Sequence, residues 1–199
     1  WDPRTKKQNE RRKSLVQTID LPATLLEFFG IPLPADMQGK PLAETIRCDA
    51  PVREGGLYGI HGGQICCTDG RYTYLRSPVS SNEPLYQYTL MPTRHGDRRA
   101  FFSGEELKTM ERCEPLPFTK GLPVMRTKAH SVNNQHLYPT MLFDTEKDPM
   151  QMQPLNDPDQ EARMCRLMQR LMKENDAPAE QFVRMGFGQE ENGKDFENG

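Results

Sequence analysis

His61 stands in the run Gly59-Ile60-His61-Gly62-Gly63, an imidazole with glycine close on both sides. Such glycines let backbone approach a ligand and leave the ring unobstructed, and histidine changes charge near neutral pH. The same residues also read as a satisfied strand histidine beside a bulge. Tyr58 is a weaker companion three residues earlier. Farther on, Arg94, His95, Arg98, Arg99, Lys120 and Arg126 offer cations that could meet an anionic substrate, or simply coat a loop-rich surface. The cysteines, Cys48, Cys66, Cys67, Cys113 and Cys165, are odd in number and contain no Cys-x-x-Cys, so neither a zinc site nor a disulfide framework is supported. They read as free thiols, which leans toward a cytoplasmic setting. Adjacent Cys66 and Cys67 in a strand should point to opposite faces, one buried and one exposed.

Four stretches must position these groups. In Ser14–Pro34 a short apolar strand leads to a helix with Asp20 as its cap and Pro22 in the first turn. Leu21, Leu25, Phe28 and Phe29 make one apolar stripe, expected to pack in a core, and Gly30, Pro32 and Pro34 stop the helix. Leu57–Arg76 reads as two strands around Thr68-Asp69-Gly70-Arg71, because Asp-Gly is a strong hairpin signal. In 77–135, a variable loop region, Tyr86–Leu90 is a candidate strand, and Ser103 with Glu106 forms a capping box for a short helix. Leu142–Pro158 is a strand end and then a polar turn, with Asp157 capping a helix over Pro158–Asn175. That helix carries Met164, Leu167, Met168, Leu171 and Met172 on one stripe, expected to be core. Residues 189–199, polar and glycine-containing, read as a disordered tail.

Composition narrows the function. The chain has 199 residues, enough for one domain and short for two. Only 35% of residues are hydrophobic, with 17 prolines and 15 glycines, so the core is lean and loops are many. A chain of this size should bury about 70% of its unfolded surface. The lean core therefore suggests apolar surface that packs on a partner, a second copy of the chain included. A net charge of −2 gives no electrostatic case for nucleic acid. The basic residues between Arg4 and Lys13 read as a solvated loop. No apolar run reaches the length of about 18 residues that a membrane span needs.

Three of these stretches share wording with one family. Leu142–Pro158, LFDTEKDPMQMQPLNDP, resembles the C-terminal signature of the sulfatases, which joins their last strand to their last helix. Ser14–Pro34, SLVQTIDLPATLLEFFGIPLP, is similar to the sulfatase segment S-x-V-x-x-x-D-[LI]-x-P-T-[LI]-L. Within Leu57–Arg76, TDGRYTYLR is similar to the hairpin of the small C-terminal subdomain. The resemblance, within the alkaline phosphatase superfamily and including phosphonate monoester hydrolases, implies an α/β parent enzyme and an α+β fold for this segment. It implies residues 1–45 as a remnant of the large domain and 46–188 as the C-terminal subdomain.

The parent chemistry implied is hydrolysis of a sulfate ester by a formylglycine, made within a C-x-P-x-R motif, with a divalent metal (calcium, manganese or magnesium) polarising the sulfate oxygens. This chain holds no such motif. Cys48-Asp49-Ala50-Pro51-Val52-Arg53 has proline and arginine one place late, and Cys113-Glu114-Pro115-Leu116-Pro117 has proline where arginine belongs. The expectation is a segment with no nucleophile, no metal and no cofactor of its own, inactive alone. Its expected partners are a missing N-terminal domain and an anionic ester, which His61, Tyr58, His95 and Lys120 would meet at the cleft rim. A stand-alone binding module with the same fold is the alternative.

Overall fold

The computed structural model describes residues 2–91 and 101–188. In chain order the elements are α1 (Asp20–Phe28), α2 (Ala43–Cys48), β1 (Gly56–Gly59), β2 (Ile65–Thr68), β3 (Tyr72–Arg76) and β4 (Tyr86–Thr89). There follow α3 (Gly104–Lys108), β5 (Glu111–Cys113), β6 (Val124–Lys128), β7 (Met141–Asp144), α4 (Pro158–Glu174) and α5 (Ala179–Arg184). The class is α+β. Backbone packing divides the chain into one unit of Trp1–Tyr58, Cys66–Tyr74 and Met141–Leu171, and another of Gly59–Ile65, Leu75–Thr140 and Met172–Gly199.

The first unit is built on the sheet β1-β2-β3-β7. Its hairpin forms where Asp-Gly predicts it: the Asp69 carboxylate accepts from the backbone N–H of Arg71 at 2.9 Å and of Tyr72 at 2.7 Å. Gly70 supplies the positive φ of 95°. Asp157 caps α4 as expected, accepting from Gln160 N–H at 3.0 Å. The Met-rich stripe is core, with Met164 and Met168 fully buried and Leu167 nearly so. The Tyr74 hydroxyl donates to Glu161 at 3.1 Å, and Arg163 pairs with Asp69, which ties α4 to the hairpin.

Four expectations are corrected here. Cys66 and Cys67 are both buried, because Thr73 and Tyr74 show that both faces of this strand pair are covered. Burial pushes their thiols up to about 11 and about 12, so both are protonated and inert at neutral pH. No strand precedes α1, since residues 15–17 find no neighbouring strand to pair with. The α1 stripe is not core: Leu21, Leu25 and Phe29 are more than half exposed, and the helix packs instead through Ala23 and Asp20. Asp20 is not the cap: Ile19 holds that position and Asp20 is the first helical residue, its carboxylate accepting instead from the N–H groups of Gln17 at 2.8 Å and Lys40 at 2.9 Å.

Acid sensitivity follows from Asp144, buried on β7 and paired with Arg71 at 2.9 Å. The Arg71 hydrogen bond holds its pKa below the ordinary aspartate value. A depressed carboxylate stabilises the fold above its unfolded-state pKa of about 3.9 and loses that contribution as pH falls through the folded value. Urea midpoints measured from about pH 6 down to about pH 2 are expected to fall, and Asp144→Asn is expected to flatten that acid limb.

The second unit holds the antiparallel sheet β4-β6-β5, formed by the stretch 77–135. Tyr86 faces Lys128 and Gln87 faces Thr127 across β4 and β6, while Glu111 faces Arg126 across β5 and β6. The capping box of α3 is present: Ser103 Oγ accepts from Glu106 N–H at 3.2 Å, and the Glu106 carboxylate accepts from Ser103 N–H at 2.8 Å. Helix α5 has no counterpart in the sequence expectations. Its six residues, entered from Pro178, are too few to show a helical period.

Candidate functional site

The loop between β1 and β2 places His61 in the wall of a cavity of about 520 Å³, within the second unit. Sequence logic explains the shape. Gly62 adopts a φ of 73°, and a Cβ there would lie 2.7 Å from Ser131 Cα and 2.9 Å from Leu85 Cδ2. Only glycine lets the loop pass that close. The loop is tied to the facing chain where Val132 N–H donates to the His61 carbonyl at 3.4 Å.

Lys128, His130 and Ser131 line the same cavity, beside Gln87 and Glu106. Glu106 is engaged by the N–H and hydroxyl of Ser103, each at 2.8 Å. Neither Lys128 nor His130 has an ion-pair or hydrogen-bond partner of its side chain among the described residues. His61 keeps solvent exposure, yet burial by the protein around its ring lowers the imidazole pKa, with the Arg184 guanidinium as a second cause. His61 is therefore neutral at neutral pH and offers one N–H donor. The Ser131 hydroxyl donates to the Asn133 carbonyl, so its proton is already spent. An ammonium group and two imidazoles lining one cavity can hold an oxyanion by charge-assisted hydrogen bonds.

The other expected site residues are not brought to this cavity. Tyr58 lies in β1 of the first unit, half exposed, with its pKa raised, burial being the largest cause. Lys120 sits exposed just after the 3-10 turn Pro117–Thr119 and does not line the cavity. His95, with Arg94, Arg98 and Arg99, lies outside the described residues. Arg126 donates to Glu111 at 2.6 Å and stacks on Tyr86, so its charge is already answered.

Lys128, His130 and Ser131 were missed by sequence reasoning. The signal was a weak one: Arg126, Lys128 and His130 alternate along β6 and just beyond it, and alternation puts residues two apart on one face.

Among the described residues, no group of three or more His, Cys, Asp and Glu side chains could hold a metal ion. No helix among the described residues is long and apolar enough to cross a membrane.

No family model matches the chain, and no curated protein matches it. Eleven solved chains do. One, from the glycosaminoglycan-metabolising core genetic locus of Bacteroides thetaiotaomicron, is 14% identical with a TM-score of 0.46. The similarity spans 81% of this chain and 26% of that one, about a quarter of the neighbour's length.

Proposed function

We propose that this chain is the C-terminal segment of a sulfatase-type hydrolase, and that the His61 cavity meets the anionic ester at the rim of the parent's cleft. The observation that carries this is the order and wording of three segments, Ser14–Pro34, Leu57–Arg76 and Leu142–Pro158. The exposed stripe of Leu21, Leu25 and Phe29 supports it as well, being apolar surface suited to a further domain. The nucleophile and metal ligands belong to residues this sequence does not contain. The chain's own part is binding: Lys128 supplies charge, and His61 and His130 supply ring N–H donors.

The test has two arms. The natural reading frame is expected to continue upstream into a C-x-P-x-R motif, and its full product to hydrolyse an aryl sulfate, with phosphate or phosphonate monoesters as lesser substrates. The 199-residue chain alone is expected to give no turnover above a heat-killed control. Turnover by the short chain would overturn the assignment of chemistry to missing residues. A frame that lacks the motif leaves a stand-alone binding module in place of the enzyme.

A further inference from the structure

Arg184, the last residue of α5, is only 3% exposed. Its Nε donates to Gln181 Oε1 at 2.8 Å, and its Nη1 to the Gly63 carbonyl at 3.0 Å and to Asn82 Oδ1 at 2.9 Å. Asn82 in turn donates from Nδ2 to the Gly62 carbonyl at 2.9 Å. Asn82 holds this place with a positive φ of 52°, a conformation that asparagine tolerates better than most residues. The Arg184 carbonyl accepts from Val79 N–H at 2.8 Å, which anchors the end of α5.

Among the described residues no carboxylate pairs with this guanidinium. Burying a cation without a counter-charge is costly, and a neutral side chain could tie the same carbonyls at lower cost. What a cation adds is a positive charge felt by the His61 ring, together with a rigid planar fork that spans two partners. Both carbonyls that the Arg184–Asn82 pair holds directly follow His61 in the chain.

We propose that Arg184 is the positioning residue of the His61 cavity: with Asn82 it pins the Gly62 and Gly63 carbonyls, and so holds His61 beside Lys128 and His130 for an oxyanion ligand. This rests on the anion-binding role of the cavity put forward above. Arg184 acts through the loop and does not itself touch the ligand. Helix α5 thereby becomes part of the binding apparatus.

The test follows the His61 imidazole by NMR in the whole chain, with inorganic sulfate as the probe. Arg184→Gln removes the charge and the fork. It is expected to weaken sulfate binding about tenfold and to raise the His61 titration midpoint, because a nearby cation has gone. Asn82→Ala keeps the charge and frees the Gly62 carbonyl. It should weaken binding while the midpoint stays in place. Arg184→Lys, which keeps the charge without the fork, should leave the midpoint and recover part of the affinity.

Sulfate affinity unchanged in both Arg184→Gln and Asn82→Ala overturns the proposal. If the wild-type chain binds no sulfate, the anion-binding role of the cavity fails. The positioning role is then decided by the His61 midpoint and ring shifts, and unchanged values in Arg184→Gln overturn it. Should Arg184→Gln fail to fold, Asn82→Ala and Arg184→Lys decide the same question.

Discussion

Asp20→Ala is expected to cost about 3–5 kcal/mol of stability, read as a lowered urea midpoint. Asp20 is completely buried and pairs with Arg53, whose side chain is only 10% exposed. It also accepts the backbone N–H groups of Gln17 and Lys40, which link the start of α1 to the segment that follows it. Alanine would strand all three donors, and an unanswered buried guanidinium dominates the loss. Arg53 keeps one other partner, Gln17 Oε1 at 2.6 Å, which is too little to hold a charge away from water. Adding Arg53→Met to Asp20→Ala should recover part of the loss, because it removes the orphaned cation. No recovery in that double variant would mean that the backbone bonds, not the ion pair, carry the effect. The site tolerates little adjustment: a Cβ on Gly39 would fall 2.0 Å from the Ile19 carbonyl oxygen, so the chain presses directly on the first turn of α1.

Met168→Ala is the other large expected effect, about 3 kcal/mol within the usual range for a buried methionine. Met168 is fully buried in the α4 stripe, with Met164 fully buried and Leu167 nearly so beside it. Truncation leaves a void whose lining loses its contacts, and helix α4 holds the hairpin through Tyr74 and Arg163. Met150→Ala is the matched control. Met150 is 78% exposed, and its loss should move the urea midpoint by less than about 0.5 kcal/mol equivalent. Equal effects in the two variants would show that the α4 stripe does not form the core.

Elements governed by near neighbours were legible in advance. The hairpin at Asp69-Gly70, the Ser103–Glu106 capping box and the Asp157 cap all rest on bonds between residues two or three apart, so residue type and spacing suffice. The Met stripe of α4 was legible for the same reason, as a period along one helix. The α1 stripe shows the limit. Its period was read correctly, but a period says which residues share a face and not whether anything lies against it, and here Leu21, Leu25 and Phe29 remain exposed. Cys66 and Cys67 failed likewise: alternation assigns opposite faces, while burial of both depends on what covers each face.

The site divides along the same line. His61 was singled out by its own sequence, because flanking glycines are a local signature of close backbone approach. Lys128, His130 and Ser131 reach it from the end of β6 and the residues just beyond, some seventy residues later, and Arg184 supports it from a helix later still. Local sequence determined that a glycine-framed histidine would be available, along with the caps, turns and helix faces around it. Tertiary structure alone decided which charges stand beside that histidine, because long-range packing brings together groups whose separation in the chain carries no spatial information.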